Sequence, residues 1–200
     1  MSDTRIAELS KGKDSQQQKV IKYFLAEGCL GRMFCIKDDE YDQMVRAKFD
    51  APSLRKRALG RIGLDEDQLK EIPPVFISGY DFEGDRALCL RQGSDRMWRS
   101  SRYEGSWLFF SDSHVYMYYY RVDMISNTKS EQMHEYFYKD ITSFSMASES
   151  REQEGKIYEA SRFSLIVPGD KFNCSASGTD STVLDRSLSA MKQKLREKKQ

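Results

Sequence analysis

The chain has 200 residues, 39% hydrophobic and 12% aromatic, enough to bury a core in one domain with an extension or in two small ones. Its 32 basic and 31 acidic residues leave a formal charge of +1, which excludes a strong overall field for nucleic acid or an anionic membrane, so any such binding must be local. The N-terminus lacks an apolar signal core and no stretch approaches the roughly 18 apolar residues of a membrane span, so a cytoplasmic protein without a transmembrane segment is expected.

Residues 1–18 are polar and without a sustained period, and read as a flexible arm with at most one helical turn. Residues 19–72 read as a small helical segment of four short helices. The first carries Val20, Ile21, Phe24 and Leu25 at helical spacing and meets Gly28 and Gly31. The second has Asp38 to Glu40 in its first turn, favourable against the helix dipole, with Tyr41, Met44, Val45 and Phe49 on one face and a break at Asp50 to Pro52. Ser53 can cap the third, which carries Leu54, Ala58 and Ile62 on one face and ends at Gly63. The fourth starts near Asp65 and stops at Pro73 and Pro74.

After Pro74 the chain turns β-branched and aromatic, with turn residues at short intervals. Seven strands are predicted, in PVFISGYDF, RALCLRQ, MWRSSRYEGSWLFFSD, SHVYMYYYRVDM, MHEYFYKDITSFSMA, EASRFSLIVPG and DKFNCSASG. Asp112 with Ser113, and Gly169 with Asp170, mark hairpins. A last helix, capped by Thr179 or Asp180, carries Leu184, Leu188, Met191 and Leu195 on one stripe, with lysines and an arginine in its final turns.

Tyr136, Phe137, Tyr138, Asp140 and Ile141, then Phe163, Leu165, Val167, Gly169, Asp170 and Phe172, together with the closing helix, resemble the bacterial pleckstrin-homology-like (PH-like) and GRAM-like domains. The resemblance covers residues 74–199. It implies an α+β protein in which the small helical segment is followed by a domain at 74–200, an antiparallel β-barrel of about seven strands capped by a C-terminal amphipathic helix. No family is indicated for residues 1–72. Fold likeness of this kind assigns no ligand.

Four kinds of function can be weighed on residues. Catalysis has no visible basis: His114 and His134 are the only histidines, and neither has a nucleophile or carboxylate at a recognised catalytic spacing. No catalytic residue is assigned. Cys29, Cys35, Cys89 and Cys174 are scattered without a zinc-finger partner set, so no metal, disulfide or other cofactor is expected. An anionic lipid head group or phosphate ligand would be held by the arginine-rich segment 86–102, with Arg96, Arg99 and Arg102 as the candidates, since guanidinium forks suit phosphate. In a regular strand Arg96 and Arg102 share a face and Arg99 points the other way, so convergence needs a bulge or turn.

DNA binding by the N-terminal helices would use Arg55, Lys56, Arg57 and Arg61, but residues 1–72 hold 14 basic against 13 acidic side chains, so nucleic acid is an unfavoured partner. Tyr116, Tyr118 and Tyr120 alternate away from the Val115, Met117 and Tyr119 face and are the candidates for an interface with a protein partner or a second copy of the chain. The reading that best fits these features is a non-catalytic binding or scaffolding module acting through protein–protein contact.

Overall fold

Asp14 opens the first long helix with a reciprocal cap: its carboxylate accepts from the Gln17 backbone N–H at 2.8 Å, and the Gln17 side chain accepts from the Asp14 N–H at 3.0 Å. The structure, a computed structural model, describes residues 2–63, 69, 72–83, 88–153, 155–177 and 181–198. Five helices come first: α1 (Ser2–Ser10), α2 (Ser15–Leu25), α3 (Gly28–Met33), α4 (Asp38–Lys48) and α5 (Ala51–Ile62). The polar opening stretch is therefore largely helical. Helix α5 starts before Ser53 and includes Pro52, whose missing N–H is harmless in a first turn where that group has no intrahelical partner. The helix expected from Asp65 falls on residues mostly outside the described ones.

Among the described residues nine strands follow: β1 (Val75–Tyr80), β2 (Leu90–Gln92), β3 (Trp98–Ser100), β4 (Arg102–Phe110), β5 (His114–Asp123), β6 (Lys129–Phe137), β7 (Ser143–Gln153), β8 (Lys156–Val167) and β9 (Asp170–Ser175), then helix α6 (Ser181–Lys198). Among the described residues they form three separate sheets, β1-β4-β5-β6, β2-β3 and β7-β8-β9. The expectation of a closed seven-stranded barrel is overturned by this pairing; the α+β class stands.

Two of the expected strands are each broken in two, for local reasons. MWRSSRYEG divides at Ser101, whose hydroxyl accepts the Cys89 N–H at 3.2 Å and whose backbone accepts the Met124 N–H at 2.8 Å; the Ser100 hydroxyl accepts the Arg102 N–H at 3.1 Å. MHEYFYKDITSFSMA divides at a single 3₁₀ turn, Tyr138–Asp140. The β8–β9 hairpin closes through Pro168 and Gly169, where φ is +83°, a conformation that glycine adopts without strain.

The chain divides into two units, Met1–Asp50 with Tyr80–Tyr103 and Arg121–Lys129, and Ala51–Gly79 with Glu104–Tyr120 and Ser130–Gln200. The first is built on stacked aromatics: the rings of Tyr23 and Tyr41 lie 4.8 Å apart, with Phe24 edge-on to both, and Tyr41 donates its hydroxyl to the Ser100 carbonyl at 2.7 Å. The second holds a continuous apolar core in which Ile77, Leu108, Phe110, Val115 and Met117 meet Phe163, Leu165, Phe172 and the stripe Leu188, Met191 and Leu195 of α6. Within it Glu104 is a buried carboxylate that accepts from the Tyr119 hydroxyl at 2.5 Å and the Ser175 N–H at 2.6 Å.

Candidate functional site

The first unit contains a cleft of about 600 Å³. One wall is the start of α4, where Lys37 ends the linker and Asp38, Asp39 and Asp42 project from the first helical turns; the other is the β2–β3 hairpin with Arg91, Gly93, Ser94, Asp95 and Arg99. The hairpin pairs Leu90 with Ser100 and Gln92 with Trp98 and closes through a tight turn, with an N–H···O bond from Arg96 to Gly93 at 3.1 Å. Arg96 takes φ of +64° there, a place usually given to glycine, and its side chain is exposed.

Arg99 stands at the centre of the cleft floor with only 3% of its side chain exposed. Its Nε and Nη2 donate to the two oxygens of Asp42, both at 2.8 Å, while Nη1 and Nη2 reach the two oxygens of Asp95 at 3.0 and 2.8 Å. The Tyr80 hydroxyl donates to Asp42 Oδ1 at 2.5 Å. Hydrogen bonding to Asp42 and then Asp95 raises the Arg99 pKa beyond its already high value, and the same contact lowers Asp95 to about 2.

Asp38 accepts from the Tyr23 hydroxyl and from both the N–H and hydroxyl of Ser94, each at 2.8 Å. Burial pushes the Asp38 carboxyl up, but the bonds from Tyr23 and Ser94 outweigh it and its pKa is lowered. A Cβ on Gly93 would stand 2.5 Å from Arg99 Nη1 and 2.6 Å from Asp95 Oδ1, so the ends of these side chains pack directly against the glycine.

The three candidate arginines thus have three different settings. Arg96 is exposed on the turn, Arg99 is enclosed by two carboxylates, and Arg102 donates to Asp123 at 3.1 Å. Arg91, which was not singled out from sequence, lies over the Tyr23 ring at 4.3 Å and donates to the Tyr23 carbonyl. Of the acids that occupy these cations, Asp95 lies four residues from Arg99 in the same segment, whereas Asp42 and Asp123 were legible only as separate charges in other stretches. Among the described residues no group of three His, Cys, Asp or Glu is placed to hold a metal ion.

The candidate tyrosines lie in the second unit. Tyr118 and Tyr120 are buried, at 1% and 3% exposure, and Tyr116 is half-buried beside His114. Helix α5 supplies the cover: Arg61 lies over the Tyr118 ring at 5.9 Å and Arg57 over Tyr120 at 5.8 Å, and both arginines reach Glu131, at 2.7 and 2.5 Å. The basic run that could have suggested a DNA-reading helix is therefore partly engaged with this sheet.

The histidines also have structural neighbours. The Tyr136 hydroxyl donates to Asp170 at 2.6 Å and lies 3.0 Å from His134 Nδ1, while His114 packs its ring 3.9 Å from that of Phe137.

The large apolar side chains that remain exposed are the signal most readily missed in a sequence. Met33 is 70% exposed and Phe34 83%, immediately before the cleft residue Cys35, and Met97 is 60% exposed between Asp95 and Arg99. No helix of the described residues is long and apolar enough to cross a membrane. Compared with protein-family models, curated proteins and solved structures, the chain has no significant match.

Proposed function

We propose that the chain is a non-catalytic cytoplasmic binding or scaffolding module, acting through protein–protein contact at the α4–hairpin cleft. The observation that carries this reading is the exposure of Met33, Phe34 and Met97 on the segments that continue from the cleft walls. Methionine and aromatic side chains are enriched at protein interfaces, where they bury large apolar areas. The polar groups inside the cleft are largely occupied with one another: Arg99 with Asp42 and Asp95, and Asp38 with Tyr23 and Ser94. That favours a rigid wall for docking over a cluster of open phosphate-binding cations.

Affinity capture with the full chain tests the proposal when repeated with Phe34→Ser/Met97→Ser. A partner retained by the unaltered protein and lost by the variant, at an unchanged thermal midpoint, is the expected outcome. Equal retention by both, or a strict monomer in light scattering that retains no protein, removes the proposal.

A further inference from the structure

The three-stranded sheet ends at β7, beside which no further strand pairs among the described residues. Its eleven residues pair with β8 in unbroken register, from Ser143↔Ile166 to Gln153↔Lys156. Sheet edges are normally blunted by proline, a bulge, short length or charge, because a row of unpaired N–H and C=O groups invites another strand. Strand β7 has no proline, is long, and keeps its charged residues, Glu149, Arg151 and Glu152, in the half away from Ser143. The Ser143–Ser148 half has no such protection.

That same half adjoins α6. Phe144 and Met146 pack against the core from β7, and with Ser145 they line a groove of about 270 Å³ completed by Leu188, Ser189 and Lys192. Lys192 is exposed, lies 5.8 Å from the Phe144 ring, and is followed one helical turn later by the exposed Arg196. The groove thus has an apolar floor, a basic rim and a strand edge along one side.

We propose that this groove docks an extended acidic segment of a partner protein, which adds to the edge of β7 as a fourth strand. One apolar side chain of the segment enters between Phe144, Met146 and Leu188, and a carboxylate two residues along meets Lys192. Strand addition draws affinity from main-chain bonds and selectivity from alternate side chains, and this groove supplies a setting for both. The surface shares no residue with the α4–hairpin cleft, so it stands or falls apart from the proposed function.

A random peptide library displayed against the full chain is the probe. Selected peptides are expected to alternate apolar residues with Asp or Glu, and their binding is expected to slow hydrogen exchange at the alternate amides of Ser143–Ser148 that point away from β8. Lys192→Glu should weaken a selected peptide by about tenfold through like-charge repulsion. Ser189→Trp, which fills the groove from an exposed helix position, should abolish binding with the thermal midpoint unchanged. If that variant loses stability, the exchange pattern and Lys192→Glu decide. No enrichment, basic peptides, or binding indifferent to these changes overturns the proposal, as does a β7-mediated dimer of the chain.

Discussion

Arg99 sets the strength of the cleft, because a guanidinium this buried is stable only while both its carboxylates remain. Replacing it by Met would leave Asp42 and Asp95 facing each other, and should cost about 2–3 kcal/mol, less than for a fully buried pair because the two carboxylates are partly exposed. Lys keeps the charge but lacks the planar fork, so Arg99→Lys should lose about 1–2 kcal/mol. Urea unfolding of both variants checks the order; an Arg99→Met protein as stable as the parent would mean that desolvation cancels the attraction. Asp95 gives the corresponding pH dependence. Its folded pKa of about 2 lies below the ordinary 3.8, so the stabilisation is present above pH 3.8 and is lost as pH falls from 3.8 to about 2. Protection of the Gly93 amide, bonded to the Met97 carbonyl, taken against its intrinsic exchange rate at each pH, should fall in that window and do so far less in Asp95→Asn.

Helix α5 shows at the scale of an element which part of a structure a local pattern determines. Leu54 and Ala58 were legible as its inward face, and both are buried. Its outward arginines could not be assigned from sequence, since their carboxylate, Glu131, lies 74 residues from Arg57 on another element. A double-mutant cycle between Arg57→Ala/Arg61→Ala and Glu131→Gln should give a coupling of about 0.5–1 kcal/mol, modest because both arginines are half exposed. A coupling of zero would show that the arginines merely lie near the carboxylate. Helix α2 illustrates the opposite case. The Asp14 and Gln17 spacing of its capping box is visible in the sequence, yet the surrounding residues are polar and carry no apolar period that would mark a helix. Asp14→Ala should cost about 1 kcal/mol, the usual worth of a side-chain cap, measured as a lowered urea midpoint. Tyr118 and Tyr120 follow the same rule: alternation separates them from the Val115 and Met117 face, and their cover, to which Arg57 and Arg61 of α5 contribute, comes from residues remote in the sequence.

For the molecule as a whole, the places of the strands along the chain were far easier to read than their number, seven expected against nine described, or their pairing into sheets. Alternation tells which side chains share a face, but the breaks at Ser101 and at Tyr138–Asp140 depend on hydrogen bonds made by serine hydroxyls and on a short 3₁₀ turn, neither of which has a periodic signature. In the second unit the strand ends are then tied by polar side chains. His134 and Tyr136 of β6 meet Asp170 at the start of β9, with the Tyr136 hydroxyl between the ring nitrogen and the carboxylate. Burial lowers the His134 pKa below its ordinary 6.5, and the Asp170 charge opposes this without reversing it. The unfolded chain therefore binds a proton more readily than the folded one between that lowered value and pH 6.5. Stability should be fully present above pH 6.5, fall as pH drops through this window, and level off below the folded pKa of His134. Asp170 itself is lowered from 3.8, so its contribution is lost only at more acidic pH and the two effects separate along the pH axis. His134→Gln, which keeps a hydrogen-bonding group beside Tyr136 and Gln132, should flatten the urea midpoint between pH 7.5 and pH 5, a range set around the ordinary histidine pKa of about 6.5. A slope unchanged in that variant would place the titrating group elsewhere and leave the His134–Tyr136–Asp170 contact with a packing role alone.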